Sequence, residues 1–142
     1  MAVEIIEFAT PRFDELIKLR DKILRKPLNM EFYAKDIAEE YDSYHLAYYD
    51  GPTLKGCLVL KPLSDASIKM RQVAVDEAFQ GQGIGKALVA ASERFCKMQG
   101  FQKIELNARK TAVPFYLTQD YEKVGKEFVE VSVPHFKMQK VL

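Results

Sequence analysis

The sequence has 142 residues, 48% hydrophobic and 29% charged, which suits one domain with a packed core over residues 1–142 and leaves little room for long disorder. Its 21 Lys and Arg nearly balance its 20 Asp and Glu, so it lacks the basic excess with which nucleic-acid binders displace counterions. No run approaches the roughly 18 apolar residues of a membrane span, and the opening MAVEIIEFATPRF carries acidic residues where a secretory signal would carry basic ones. Cys57 and Cys96 form no CxxC pair and sit in apolar surroundings, as buried free thiols do. A cytoplasmic setting and no metal are the expectations.

Val3–Phe8 predicts a first strand from its β-branched and aromatic residues. Thr10-Pro11 is a helix start, with Thr as cap and Pro at the first helical position. Phe13, Leu16, Ile17, Leu19, Ile23 and Leu24 then follow helical spacing up to Pro27. A second short helix is predicted over 31–40. His45–Tyr49 and Leu54–Leu60 are strands joined by the turn Asp50-Gly51-Pro52, and Ser67–Val75 is a fourth strand.

Ile84, Ala87, Leu88, Ala91, Phe95 and Met98 recur with a helical period that Gly100 stops. Lys103–Asn107 is a short fifth strand. Thr111 is placed to cap a helix reaching about Gln119, with Pro114 tolerated in its first turn. Glu122–Val131 and His135–Val141 complete a mixed domain in which strands outnumber helices. No repeat or interdomain linker is visible.

Between the fourth strand and the strongest helix lies QGQGIGK, which holds Gly81, Gly83 and Gly85. Glycines there permit positive φ and close approach of a ligand. The helix that follows starts with amides lacking internal partners and with a partial positive charge. Together these suit phosphate or pyrophosphate, and Lys86 adds a cation. A P-loop would need Gly at Gln80 and Ser or Thr at Ala87, and a dinucleotide fingerprint starting at Gly81 would need Gly or Ala at Lys86. The plain alternative is a tight strand-to-helix turn that binds nothing.

Gln80-Gly81-Gln82-Gly83-Ile84-Gly85, preceded by Val73-Ala74-Val75, resembles the fingerprint of the GNAT superfamily of N-acetyltransferases. Ala112-Val113-Pro114-Phe115-Tyr116, followed by Tyr121, is similar to a second family block. Glu127-Phe128-Val129-Glu130 with Val133-Pro134-His135 and Met138 looks like its ElaA-like branch. The resemblance implies an α/β fold with a mostly antiparallel sheet, splayed between strands 4 and 5 and flanked by about four helices. It implies acetyl-CoA as acyl donor, with pantetheine in the splay along Val73, Ala74 and Val75. The pyrophosphate would rest on the amides of Gln82, Gly83, Ile84, Gly85 and Lys86, with Gln80, Gly81, Asn107 and Tyr116 completing the donor site. The acceptor would be an amine of unspecified identity, attacking the thioester directly, and since dimers are common among relatives a homodimer is left open. Two positions depart from the family pattern: Asp120 stands where Gly is usual, and Arg109 where ElaA-like sequences tend to carry Gln.

Acyl transfer needs a neutral amine, a polarised carbonyl and a proton for the leaving thiolate. An alkyl ammonium, with pKa about 10.4, must lose a proton at neutral pH. Tyr116 is the family-matched general acid; the alternative is a tyrosine that packs against pantetheine without donating. A backbone N–H of Val73 or Val75 would polarise the carbonyl. Glu130 and His135 are candidates for the base or for acceptor contacts, against a solvated Glu130 and a His135 that orders its loop by bonding backbone. Asn107 could bond pantetheine or cap the next turn. Arg20 and Arg25 on the first helix lie beside the expected acceptor cleft, where either could meet an anionic substrate, although exposed helix arginines are usually only solvated. His45 has a weaker case, and neither cysteine has a basic neighbour in sequence to activate it. A non-catalytic acyl-CoA-binding module of the same fold is the alternative function.

Overall fold

The alternation of apolar and polar residues along the strands builds one sheet with a helical layer on each face. A computed structural model of the protein describes residues 2–28 and 34–142. In chain order the regular elements are strand β1 (Ala2–Ile6), helix α1 (Pro11–Arg20), helix α2 (Ala34–Ala38), and strands β2 (Tyr44–Asp50), β3 (Thr53–Pro62) and β4 (Ser67–Val75). Helix α3 (Ile84–Met98), strand β5 (Lys103–Arg109), helix α4 (Val113–Thr118) and strands β6 (Glu122–Glu130) and β7 (Val133–Val141) follow. The seven strands order as β1-β2-β3-β4-β5-β7-β6. Only β4 and β5 pair in parallel, because α3 carries the chain across one face between them.

On the α3 face, Leu46, Leu58, Leu60, Met70 and Ile104 pack with Leu88 and Val89. On the other face Phe13, Leu16 and Leu19 of α1 cover Ala47, Tyr49, Cys57 and Ala74. The central strands are therefore buried on both sides. A Cβ on Gly56 would lie 3.0 Å from Leu88 Cδ1 and 3.1 Å from Ile84 Cγ2, so this glycine on β3 sets how closely the start of α3 approaches the sheet.

The predicted elements recur with shifted ends, each for a local reason. Strand β1 stops at Ile6 rather than Phe8. Ala9 takes φ +61° and Thr10 Oγ1 donates to the Glu7 carbonyl at 2.7 Å, turning the chain so that Phe8 packs on Phe13 at 4.8 Å. Thr10 then accepts from Phe13 N, the predicted cap. Beyond Arg20 the helix widens into a π turn, Asp21–Arg25, and tightens to a 3-10 turn at Lys26–Leu28, where Pro27 lacks the N–H an α-helix would use. Of the predicted second helix, residues 31–33 lie outside the described residues, and α2 ends at Ala38. Glu40 beyond it turns inward to grip Arg20 at 2.6 and 2.8 Å.

That pairing corrects the reading of Arg20 as a solvated side chain: it is 1% exposed and forks onto Glu40. Thr111 does not cap α4. A 3-10 turn, Lys110–Ala112, precedes the helix, whose cap position is Ala112. With Thr111 as cap, Pro114 would fall at the third helical position and have no N–H to offer.

Asp120 keeps the turn expected of glycine. It adopts φ +69°, its N–H donates to the Leu117 carbonyl and that of Tyr121 to the Tyr116 carbonyl, which together form a Schellman ending. Asp tolerates this conformation better than most L-residues. Gly100 ends α3 in the same way. Among the described residues, no helix is long and apolar enough to cross a membrane.

His45 belongs to the core. It is 1% exposed, its Nε2 bonds the Glu40 carbonyl at 3.1 Å, and its ring meets Phe13 edge-on at 4.9 Å. Burial holds its pKa below the ordinary imidazole value. The unfolded chain therefore takes up a proton at higher pH than the folded one. The stability this residue contributes is complete above about pH 6.5 and is lost as pH falls below it.

Two outcomes follow for stability. Gly56→Ala should lower the unfolding free energy by about 1–3 kcal/mol through overpacking against α3, read as a lower denaturant midpoint at unchanged slope; an unshifted midpoint would contradict the packing argument. His45→Gln should flatten the fall in thermal midpoint between about pH 6.5 and 5. An equal fall in both proteins would place the titration elsewhere.

Candidate active site

The parallel pairing of β4 with β5 covers only Ser67–Met70 against Lys103–Leu106. Beyond it β4 stays with β3 while β5 stays with β7 as far as Arg109↔His135, and the sheet opens. The N–H of Asp76 bonds the Lys55 carbonyl at 2.9 Å. In an antiparallel ladder bonded residues alternate, so Ala74 opposite Cys57 also turns its main chain to β3. The main chains of Val73 and Val75 then face the opening. Ala74 thus belongs to the α1-side core, 2% exposed, and its main chain is engaged by β3.

The glycine-rich loop sits at the mouth of this opening. Gly81 and Gly83 have φ near +80°, and Gly83 is the left-handed cap of α3 with no side-chain cap bond. The first helical bond runs from Ala87 N to the Gly83 carbonyl. The N–H groups of Ile84, Gly85 and Lys86 have no acceptor among the described residues, and the helix dipole reinforces them. Ile84 anchors this turn by burying its side chain under Gly56, while Lys86 and Gln82 are exposed. Gln80 ties the loop back, its Nε2 donating to the Val75 carbonyl at 3.1 Å.

A cleft of about 720 Å³ fills the opening. Val73, Val75, Gln80 and Gly85 line one side, with Asn107, Phe115 and Tyr116 facing them. Asn107 makes no side-chain hydrogen bond among the described residues, and no side chain caps the turn after β5. Tyr116 is 7% exposed, with its ring against Phe115 and Tyr121. Burial pushes its phenol up to about 12, so it is protonated at neutral pH, able to donate a proton and unsuited to accept one as a base.

Glu130 and His135 border the far end of the same cleft. His135 is 4% exposed, its Nδ1 lies 2.7 Å from the Val133 carbonyl, and its ring stacks on Phe128. That carbonyl can only accept, so Nδ1 carries the hydrogen. Nε2 points to the Glu130 carboxylate at 3.6 Å, too long for a direct hydrogen bond and open to a donor lodging between them. The loop-ordering contact and the cleft-facing nitrogen belong to the same side chain. Cys57 and Cys96 are buried free thiols pushed up to about 12 by burial, which leaves them unreactive.

Sequence reasoning missed two contributors. Gln72 sits at a β-bulge with φ +55°, which no glycine signals. The hairpin tip Val131 lines the cleft and takes φ +47°, an outlier for a β-branched residue. Arg25, expected beside the acceptor cleft, lies on the π turn and lines that cleft.

Comparison with known proteins agrees with this architecture. A Bacillus subtilis (strain 168) protein, BSU40680, provisionally named an acetyltransferase, is 25% identical over 82% of this chain and 84% of its own length. A structure provisionally named an N-acetyltransferase from Lactobacillus plantarum superposes with TM-score 0.85 at 24% identity, covering 100% of this chain and 99% of that one. An aminoglycoside 6'-N-acetyltransferase complexed with coenzyme A gives 0.84 at 17% identity, over 99% and 97% of the two chains. Escherichia coli ElaA, at 0.83 and 18% over 99% of each chain, stands no nearer than these, so the likeness does not single out that branch. The profile of the acetyltransferase (GNAT) domain matches residues 16–142, and the chain belongs to that family.

Proposed function

We propose that the protein is an acyl-CoA-dependent N-acyltransferase that moves an acetyl group from acetyl-CoA to a primary amine by direct attack. The observation that carries this reading is the conjunction of three amides at the start of α3, unpartnered among the described residues, with a sheet opened beside Val73 and Val75. The amides of Ile84, Gly85 and Lys86 suit a pyrophosphate. An extended pantetheine arm can bond the outward main chain of Val73 and Val75, as a strand would, with the Asn107 amide opposite. The family supports acyl-CoA as donor, and the aminoglycoside-modifying neighbour was solved with coenzyme A.

The chemistry divides among the lining groups. A main-chain N–H of Val73 or Val75 polarises the thioester carbonyl. The amine nitrogen bonds to the carbonyl carbon, the C–S bond breaks, and the thiolate takes the Tyr116 proton. Burial raises the phenol to about 12, so it reaches the reaction protonated and able to donate. The amine's surplus proton passes to the Glu130–His135 pair, directly or through water. An ammonium placed between Nε2 and the carboxylate would donate to both. In this reading the protein works in the cytoplasm, and ElaA-like proteins are one branch to which it could be assigned on its C-terminal motif.

Tyr116→Phe should lower kcat about 10²-fold or more, while stabilisation by coenzyme A, about 2.7 kcal/mol at a hundred times its Kd, should persist. Thiol release and thermal midpoints measure both. Unchanged kcat would remove Tyr116 from proton transfer. Equal or greater stabilisation by ATP or NAD than by coenzyme A would overturn the acyl-CoA assignment.

A further inference from the structure

The bulge in β4 gives the acceptor end of the cleft a chemical character of its own. Cys57 pairs with Ala74 and Val59 with Arg71, so Gln72 and Val73 together oppose Leu58. In a regular strand Arg71 and Gln72 would point to opposite faces. With the extra residue and the left-handed φ at Gln72, both border the cleft and the small polar recess that adjoins it. A non-glycine residue held in that conformation stores strain of the kind found at functional sites.

This corner is basic and incompletely matched. Arg71 is partly buried, yet its guanidinium has no hydrogen bond or ion pair among the described residues. The Gln72 side-chain oxygen beside it is buried without a partner among the same residues, and as an acceptor it suits the amine end of a ligand and not a carboxylate. Arg25 lines both cavities too; burial, then the charge of Arg20, lowers its pKa, while Asp36 and Glu40 act in the opposite sense. Carboxylates are present but face the recess: Asp36 and Glu39, and Glu40 already gripped by Arg20. Lys61 also lines the recess. Lys69, Arg71 and Arg109 also line the main cleft, where Glu130 is the one carboxylate among the described lining residues.

Arg71 is four residues before Val75, roughly 13 Å along an extended strand, on the side away from the glycine loop. Its charge is thus remote from the amides that suit the pyrophosphate. We propose that Arg71 and Arg25, beside Gln72, bind the carboxylate of the acceptor, so that the substrates are small amines that carry a carboxylate. This rests on the acyltransferase reading and supplies its acceptor class. An arginine fork matches a carboxylate with two parallel hydrogen bonds. An acceptor held there by its acid end has its amine directed along the cleft toward Val73, where the thioester carbonyl would lie. Free amino acids and the C-termini of short peptides share this chemistry.

The test uses the full chain with acetyl-CoA and a panel of L-amino acids, short ω-amino acids and dipeptides, each beside its carboxamide. Thiol release gives kcat/KM, and the added stabilisation of the coenzyme A-saturated protein by N-acetyl amino acids against their amides gives binding. At least one acid should exceed its amide by tenfold or more. Arg71→Gln should bring that ratio close to one, mainly through KM, and Arg71→Lys should retain part of it. Arg25→Gln should weaken the same preference, and stabilisation by coenzyme A should be unchanged in all three variants. Preference for amides or uncharged amines, an undiminished ratio in Arg71→Gln, or no response to any acid in a protein that coenzyme A stabilises would overturn the proposal while leaving the acyltransferase reading intact. No stabilisation by coenzyme A would overturn both. Preference for dipeptides over free amino acids, or the reverse, would decide between the two sources of the carboxylate and support the proposal either way.

Discussion

The site depends on a pairing that stops. After Met70 and Leu106 the two parallel strands part company, because each keeps its other neighbour: β4 is held by β3, and β5 by β7. Main-chain groups left without a strand partner are costly unless something else bonds them. Val73 and Val75 present such groups to a cleft, and one of them, the Val75 carbonyl, is already met by Gln80. The opening is thus a sheet edge inside the molecule, and in the proposed function it receives an extended ligand backbone.

Helix α3 supplies the second half of the arrangement. Its apolar face, led by Ile84, Leu88 and Val89, fixes the helix against the sheet, and the absence of a side chain on Gly56 lets it come close. Close seating aims the uncapped N-terminus at the open end of the cleft. A serine or aspartate at the cap would have satisfied one of these amides internally; left-handed Gly83 leaves them without a side-chain partner. Packing, capping and the proposed binding therefore all trace to one short stretch of sequence.

Much of this was legible in the residues. Alternating strands, the amphipathic period of α3, Gly100 as its stop and the glycine loop all depend on local chemistry, and β4 occupies the predicted Ser67–Val75 span. The splay, the mixed pairing and the position of Tyr116 could be anticipated only through family likeness, since strand order is a long-range property. What escaped the sequence has physical causes. The buried Arg20–Glu40 pair joins residues twenty apart, and nothing in helical spacing announces it. The bulge at Gln72 and the turn at Val131 put ordinary residues in conformations that glycine normally marks. Thr111 resembled a cap until Pro114 removed the donor it would need.

The central claim is that the amides at the start of α3 and the open edge of β4 form one seat for coenzyme A. Backbone amide NMR of labelled protein titrated with coenzyme A addresses it most directly. The account predicts that the largest shifts fall on Gly83, Ile84, Gly85 and Lys86 together with Val73 and Val75, while those of the α1-side core around Leu16 and Ala47 stay in place. Saturable binding whose shifts leave the α3 amides untouched would contradict it.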